Sequence, residues 1–180
     1  MNASVYWLTG ISGAGKSTIA EAVRLRLIES GIKIKVIDGD DVRSESLQKI
    51  GYSKADVMQS NLNICRLIEQ TRYKYDVILV SVIAPYEIAR AAVAEKLGKG
   101  LHFIYCNTNI ETATARDTKG LYKLSREGKI NDLIGVNDSY PYEVPISPQI
   151  TLPTNETGKI NVCVELLIYY IKNTSYISFR

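Results

Sequence analysis

The stretch that decides the fold is GISGAGKST, residues 10–18, which follows the apolar run VYWLT at residues 5–9. It matches the pattern GxxxxGK[ST], in which glycines let successive backbone N–H groups converge on phosphate oxygens. The motif requires a strand before it and a helix after it, and both are predicted here, the helix over STIAEAVRLRLIESG at residues 17–31. A nucleoside triphosphate site is therefore favoured over a chance glycine turn.

Two side chains of this loop have expected roles in phosphate chemistry. Lys16 should reach the β- and γ-phosphates, and the Ser17 hydroxyl should ligate Mg²⁺. The dipole at the N-terminus of the following helix adds a favourable interaction with anions. No NKxD guanine signature occurs, which disfavours a GTPase.

Outward from the loop, short apolar runs alternate with helical patterns. Further strands are predicted at residues 32–40, 76–83, 101–108 and 148–154, and further helices at residues 41–50, 55–75, 85–98, 109–118 and 157–171. In the helix at 55–75, Met58, Leu62, Cys65 and Ile68 recur at the spacing of one face. This alternation, with the phosphate loop after the first strand, predicts an α/β P-loop NTPase fold, a three-layer sandwich with a parallel sheet in a single domain over residues 1–180.

Composition and charge fit a cytoplasmic globular protein. Hydrophobic residues make up 46% of the chain and charged residues 23%, which is ordinary for this class. The net charge of +3 is too small to indicate nucleic acid or a membrane as partner, and no segment is long and apolar enough to span a bilayer. Three widely spaced cysteines, Cys65, Cys106 and Cys163, disfavour a disulfide framework or a zinc site.

Acidic residues at the end of the second predicted strand, DGDDVR at residues 38–43, are the candidates for metal and proton chemistry. The strand at 76–83 carries Ser81 where a metal-binding aspartate could be expected. If the chain is extended at Asp38 and Asp40, both side chains point the same way. One could then anchor a magnesium-bound water and the other accept a hydroxyl proton. The alternative for Asp40, and more so for Asp41, is a helix N-cap.

A basic segment, RDTKGLYKLSREG at residues 116–128, has the composition of a lid. It places Arg116, Lys119, Lys123 and Arg126 around Gly120, which is suited to act as a hinge. Mobile cations that close over a phosphate stabilise charge in the transition state and exclude water. The alternative is a solvated basic helix.

Six segments, in this order and spacing, resemble the adenylyl-sulfate (APS) kinase family: GISGAGKST, DGDDVR, GYS, SVIAPY, RDTKGLYKLSREGKI and YPYEVP. The resemblance runs from about Tyr6 to the last helix, and the lid near residues 116–130 is its most specific part. It implies a P-loop kinase with ATP and Mg²⁺ as cofactors. It also implies transfer of the γ-phosphoryl group to the ribose 3′-hydroxyl of a small nucleotide, and leaves a homodimer open.

The resemblance also implies a role for individual positions. Asp40 corresponds to the general base, with Lys16 and Asp38 beside it in the reaction centre and Ser17 and Asp38 near the metal. The implied ATP-binding residues are Gly10, Ser12, Gly13, Ala14, Gly15, Lys16, Ser17, Thr18 and Arg116. The positions of the acceptor site are Arg43, Tyr52, Val57, Ser60, Asn63, Ile83, Lys119 and Leu133.

The chain departs from the family on the acceptor side. An arginine, an asparagine and a second arginine of the family are here Val57, Ser60 and Asn63, and the second stacking aromatic is Leu133. A bidentate arginine–anion contact contributes about 1.5–3 kcal/mol, so the loss of two predicts weaker binding of the usual acceptor. Tyr52 keeps one aromatic ring available for stacking on a base.

We therefore expect a kinase of this family whose acceptor is a nucleotide other than APS, with a different base or a less anionic tail. One candidate from the wider family is cytidine diphosphoramidate, an intermediate of capsular phosphoramidate modification. A genuine APS kinase that finds its contacts elsewhere stays an alternative. A non-catalytic nucleotide-binding protein is disfavoured by the intact Lys16, Ser17, Asp38 and Asp40, and an unrelated small-metabolite kinase by the lid and YPYE segments.

Overall fold

The computed structural model describes residues 2–44, 51–156 and 158–175. Five strands form one sheet in the order β2-β3-β1-β4-β5, and every neighbouring pair is parallel. The strands are β1 Ser4–Thr9, β2 Ile34–Asp38, β3 Val77–Ser81, β4 Leu101–Cys106 and β5 Ile150–Leu152. The prediction of an α/β fold with a parallel sheet is confirmed.

Helices connect the strands as the alternating pattern predicts. In the described residues they are α1 Lys16–Glu29, α2 Gly39–Ser44, α3 Lys54–Thr71, α4 Glu87–Leu97, α5 Ile110–Arg116, α6 Leu121–Arg126 and α7 Ile160–Thr174. A 3-10 turn, Arg72–Lys74, follows α3. The helix predicted over residues 41–50 begins earlier, at Gly39, and residues 45–50 lie outside the described part of the chain.

The central strand β1 separates two apolar cores, because its alternate side chains point to opposite faces of the sheet. Tyr6 and Leu8 belong to the core that contains residues of α1 and α7. Val5 and Trp7 belong to the core that contains residues of α3 and α4. All six residues of β1 are buried. The sheet is therefore the middle layer of three, which explains why β1 and β3 are uninterrupted apolar runs.

Helix α3 buries only part of the apolar face that the spacing of its sequence suggests. It begins with a capping box, in which the Ser53 hydroxyl accepts from the N–H of Asp56 and the Asp56 carboxylate accepts from the N–H of Ser53. Ile64 is fully buried, whereas Met58 and Leu62 are half-exposed. The inward face holds Val57, Ser60, Asn61, Ile64, Cys65 and Ile68. The helix predicted from the spacing of Met58, Leu62, Cys65 and Ile68 is confirmed, and Met58 and Leu62 are less buried than Cys65 and Ile68.

The lone histidine has a structural role, as its apolar strand suggests. His102 stacks on the ring of Tyr6 with centroids 4.9 Å apart, and its Nδ1 lies 2.9 Å from the hydroxyl of Tyr170. Burial lowers the pKa of His102.

Across the residues that the structure describes, no helix has the length and apolar character needed to cross a membrane.

Arg90 fastens the loop after β3 to the YPYE segment. Its guanidinium, 2% exposed, donates to the carbonyl oxygens of Ala84 and Glu143, each at 2.7 Å, and pairs with the Glu87 carboxylate. Ala84 has φ +41°, a left-handed conformation that is unfavourable for residues other than glycine. The Glu143 carboxylate accepts from the N–H of Glu87 at 2.7 Å, and this bond holds the pKa of Glu143 below its usual value. Side chains from distant segments thus hold a strained loop in place.

Replacing Arg90 with methionine should lower the free energy of unfolding by about 3 kcal/mol, because two buried carbonyl oxygens lose a charged donor. Urea denaturation monitored by circular dichroism measures this change. The matched control is Arg24→Met, which removes an exposed i,i+3 pair with Glu21 and should have a small effect. Equal effects of the two substitutions would contradict the role given to Arg90.

Candidate active site

The loop of residues 10–15 has a backbone that only glycine accommodates at its first position. Gly10 has φ +153°, and a Cβ there would lie 2.7 Å from the carbonyl oxygen of Cys106 in β4. Gly13 has φ +75°, which likewise favours glycine. The loop therefore lies directly against the carboxyl end of β4 and leads into α1 at Lys16. This geometry exposes consecutive backbone N–H groups in the manner of an anion nest.

Lys16 lies inside this loop. Its ammonium donates to the carbonyl oxygens of Gly10 and Ile11, each at 2.8 Å. Burial lowers its pKa to about 8. A buried ammonium at the N-terminus of a helix is a strong site for a phosphate, whose negative charge would pair with the ammonium.

Three oxygen-bearing side chains meet at the edge of the sheet next to Lys16. The Ser17 hydroxyl donates to the Asp38 carboxylate at 2.6 Å and lies 3.0 Å from the Ser81 hydroxyl. Asp38 and Ser81 are opposite each other in the register of β2 and β3. The expected aspartate of β3 is thus replaced by a serine, and the carboxylate comes from the neighbouring strand.

This arrangement fits Mg²⁺. The ion prefers oxygen ligands, keeps several waters, and usually takes one or two protein carboxylates together with substrate phosphates. Ser17 and Asp38 would hold it, with Ser81 beside them. Phosphate oxygens and water would complete the coordination of such an ion. Within residues 2–44, 51–156 and 158–175, no group of three or more His, Cys, Asp and Glu side chains could hold a metal ion.

The chain is not extended at Asp40, contrary to the sequence-based expectation. Strand β2 ends at Asp38 and helix α2 begins at Gly39, because the Asp38 carboxylate accepts from the N–H of Asp40 at 2.9 Å and caps the helix. The capping role considered for Asp40 or Asp41 therefore belongs to Asp38. Asp40 is exposed, lines the same cavity as Asp38 and forms an ion pair with Lys119.

The lid segment is tied to the phosphate loop at two points. The Tyr122 hydroxyl donates to the Ser12 carbonyl at 2.8 Å. Arg116 donates to the carbonyl oxygens of Thr154 at 2.7 Å and Gly13 at 3.4 Å. Asp117 caps α6 by accepting from the backbone N–H groups of Tyr122 and Lys123. The lid helix consequently lies beside the phosphate loop.

Only part of the lid's positive charge faces the cavity. Lys119 lines it, and Arg116 contacts the phosphate loop from behind. Lys123 and Arg126 are exposed and do not line the cavity. For these two residues the solvated-helix interpretation describes the structure better.

One cavity joins the phosphate loop to the expected acceptor residues. The predicted residues that line it are Ser12, Gly13, Gly15, Lys16, Ser17, Thr18, Asp38, Asp40, Arg43, Tyr52, Val57, Ser60, Ile83, Lys119 and Leu133. Gly10, Ala14 and Arg116 contribute to the phosphate loop without lining the cavity. Residues from seven separate segments of the chain therefore share one concave surface, as a two-substrate site requires.

Asn63 does not reach this cavity. Its side-chain oxygen accepts from Gln59 at 2.8 Å and from Arg66 at 2.7 Å, on the outer side of α3. The expectation that Asn63 belongs to the acceptor site is wrong in this geometry, since its side chain points away from the inward face of α3. Val57 and Ser60 do lie inward, and Val57 packs against Tyr86 and Ala89.

Tyr52 has less free ring surface than expected. The Arg43 guanidinium lies 4.5 Å from the centroid of the Tyr52 ring, a cation–π contact, and donates to the Gly51 carbonyl at 2.9 Å. One face of the ring is thus covered by the arginine. Arg43 and Tyr52 form a single unit on the wall of the cavity.

Sequence reasoning missed several lining residues, namely Asn61, Thr118, Ile130, Asp132 and Ile134. The signal for Asn61 is that it is a polar residue on the same face of α3 as the apolar residues Val57, Ile64 and Ile68. The others lie in or after the lid, where no periodic pattern marks which side chains point inward. Three cations and three carboxylates line the cavity: Lys16, Arg43, Lys119, Asp38, Asp40 and Asp132.

Comparison with known proteins agrees with this geometry. The family model described as adenylylsulphate kinase matches residues 2–153. The adenylyl-sulfate kinase of Vibrio vulnificus is 38% identical, over 98% of this chain and 84% of that protein. The adenylyl-sulfate kinase of Microcystis aeruginosa is 40% identical, over 83% of this chain and 81% of that protein.

Among solved structures, the Mycobacterium tuberculosis APS kinase in complex with AMPPNP and APS superposes with a TM-score of 0.87. It is 28% identical, over 95% of this chain and 98% of that one. A shikimate kinase from Acinetobacter baumannii, 20% identical with a TM-score of 0.59, shares the fold over 95% of this chain and 94% of its own. This chain belongs to the adenylyl-sulfate kinase family.

Proposed function

We propose that this protein transfers the γ-phosphoryl group of ATP to the ribose 3′-hydroxyl of a small nucleotide whose base or tail differs from that of APS. Family membership makes the chain an ATP- and Mg²⁺-dependent phosphotransferase that acts on an alcohol group. The observation that carries the finer proposal is the contrast within one cavity: a complete phosphate site faces an acceptor wall in which Val57, Ser60 and Leu133 replace larger, charged or aromatic groups.

The reaction needs little covalent chemistry from the protein, so positioning and charge dominate. Within the loop, the N–H groups of Gly10 and Ala14 donate to the carbonyl oxygens of Ile83 and Ile11. The other backbone N–H groups of the loop would hold the phosphates together with the Lys16 ammonium. Mg²⁺, which Ser17 and Asp38 would hold, would neutralise phosphate charge during the transfer. In the transfer, the bond from the ribose O3′ to the γ-phosphorus forms, the bond to the β–γ bridging oxygen breaks, and ADP leaves.

Asp40 takes the proton of the 3′-hydroxyl in this proposal. Its carboxylate is exposed to the cavity, on the same wall as Asp38. Lys119, its partner in the ion pair, comes from the lid. Its ammonium would stabilise the negative charge of the phosphoryl group during transfer. Substrate entry between the two side chains would exchange this pair for contacts with the reacting groups.

The acceptor wall carries little positive charge. Among the described residues that line the cavity, the cations are Lys16, which belongs to the phosphate loop, Arg43 and Lys119. Arg43 already contacts Tyr52 and Gly51. Val57, Leu133 and Ile134 are buried and apolar. A different base or a tail that needs fewer cationic contacts fits such a wall. Cytidine diphosphoramidate has a different base and an amidated terminal phosphate, and is one acceptor of this kind.

APS itself is the second candidate acceptor. Relatives 38–40% identical carry the name adenylyl-sulfate kinase. Asn61 also places an amide in the cavity one residue after Ser60, where the family has its asparagine. The two candidates differ in their acceptor alone, so a comparison of acceptors separates them.

Steady-state kinetics with ATP and a panel of acceptors should give a kcat/KM for APS at least about tenfold below that of the best acceptor. This follows from the loss of one charge-assisted contact or more. The panel contains APS, cytidine diphosphoramidate and other nucleoside diphosphate derivatives, and the KM for ATP serves as internal control. The highest kcat/KM with APS would show that the acceptor proposal is wrong and that the second candidate is right.

Asp40→Asn should reduce kcat by about 100-fold or more, because a positioned general base contributes 10²–10⁴-fold. Binding of ATP, measured by calorimetry, should change little, since the phosphate loop is untouched. Asp41→Asn is the matched control, as Asp41 is exposed in the same helix and does not line the cavity. Full turnover in the Asp40 variant would exclude Asp40 as the base.

The affinity for Mg²⁺–ATP should fall as the pH rises through about 8. Burial lowers the pKa of Lys16 to about 8 in the free protein, and bound phosphate favours the charged ammonium. Binding above pH 8 must therefore take up a proton, whereas binding at pH 7 takes up none. Calorimetry at pH 8.5 in two buffers of different ionisation enthalpy measures this uptake. Lys16→Arg, which stays charged, should lose it, and an uptake that persists in this variant would assign the proton to another group.

A further inference from the structure

Asn61 is a buried amide on the wall of the cavity. The residue is 4% exposed and lines the cavity together with Val57 and Ser60 of the same helix. Its Nδ2 is buried and has no hydrogen-bond partner among the residues that the structure describes. The amide therefore offers an unused donor inside a ligand-sized space.

The position of Asn61 in α3 makes this arrangement unusual. Val57, Ile64, Cys65 and Ile68 share its face of the helix and are buried. An apolar side chain at position 61 would continue this stripe without burying an unpaired donor. Residues that break a local rule without an internal compensation are concentrated at functional sites.

The other unpaired buried donors do not share this setting. In the described ranges they are the Ser4 and Ser175 hydroxyls and the Trp7 indole nitrogen, and none of these three residues lines the cavity. Asn63, two positions along, has its side-chain oxygen bonded to two neighbours on the outer face. Asn61 alone of these residues combines burial, a missing partner and a position in the lining of the cavity.

We infer that Asn61 determines acceptor specificity by donating from Nδ2 to an oxygen or ring nitrogen on the edge of the acceptor's base. Asparagine side chains pair with the donor and acceptor edges of bases, and a site built to bind such an edge rejects bases that lack it. The apolar neighbours Val57 and Leu133 and the ring of Tyr52 suit the faces of the same base. This inference rests on the proposed nucleotide acceptor and holds for APS as well as for another nucleotide.

The test compares Asn61→Leu and Asn61→Asp with the wild type, using whichever acceptor of the panel gives the highest kcat/KM. Both variants remove the donor, so each should raise the KM for the acceptor about tenfold and leave the KM for ATP unchanged. Asn61→Leu should melt at the same or a higher temperature, because it removes a buried unpaired donor. Gln70→Leu is the control, since Gln70 is exposed near the end of the same helix and should change neither KM.

Inhibition by the nucleoside 5′-monophosphate with the same base as the acceptor locates the contact. Its inhibition constant should rise by the same factor as the KM, since the base is common to both molecules. An unchanged acceptor KM in both variants would overturn the inference, and so would an equal rise in the KM for ATP. A raised acceptor KM with an unchanged inhibition constant would overturn the assignment to the base. If Asn61→Leu does not fold, the isosteric Asn61→Asp decides. Should APS prove the best acceptor, the acceptor proposal fails while the measurements on Asn61 still stand.

Discussion

The close approach of Gly10 to the carbonyl oxygen of Cys106 sets the position of the whole reaction centre. It brings the turn after β1 against the end of β4, so that α1 starts at Lys16 directly above the sheet. Because all strands are parallel, their carboxyl ends meet at this same edge. Asp38 and Ser81 thereby reach Ser17 from two other strands without any local sequence relation to it.

A second constraint acts on the acceptor side of the cavity. The Arg90 guanidinium holds Ala84 and Glu143 together, and the Glu143 carboxylate caps the first turn of α4. These contacts join the loop after β3 to the YPYE segment about 55 residues later in the chain. Cavity shape there depends on a buried charge network, whereas the phosphate loop depends mainly on backbone geometry. The two halves of the site are therefore held by different kinds of contact.

Features of the fold and of the site differ in how far the local sequence predicts them. The order of strands and helices and the phosphate loop followed from local patterns, because apolar runs and glycine spacing carry them. The contact between Ser17 and Asp38 depends instead on the parallel arrangement of the strands. The extended conformation at Asp40 and the place of Asn63 in the acceptor site were both wrong. At Asp40 the strand ends and α2 begins two residues earlier than an extended chain would require. At Asn63 the angular position on α3 turns the side chain outward, and the mixed polar sequence of that helix does not reveal which side faces the cavity.

The sequence by itself determined the class of chemistry, since GISGAGKST between a strand and a helix admits few uses other than holding a phosphate. Only the tertiary structure decided which side chains surround the acceptor. Asn61 lines the cavity and Asn63 does not, because α3 packs the face that contains residues 57, 61, 64 and 68 inward. Tyr52 is covered by Arg43 because two segments that follow β2 fold onto each other. Such contacts join side chains whose spacing in the chain does not encode their distance in space.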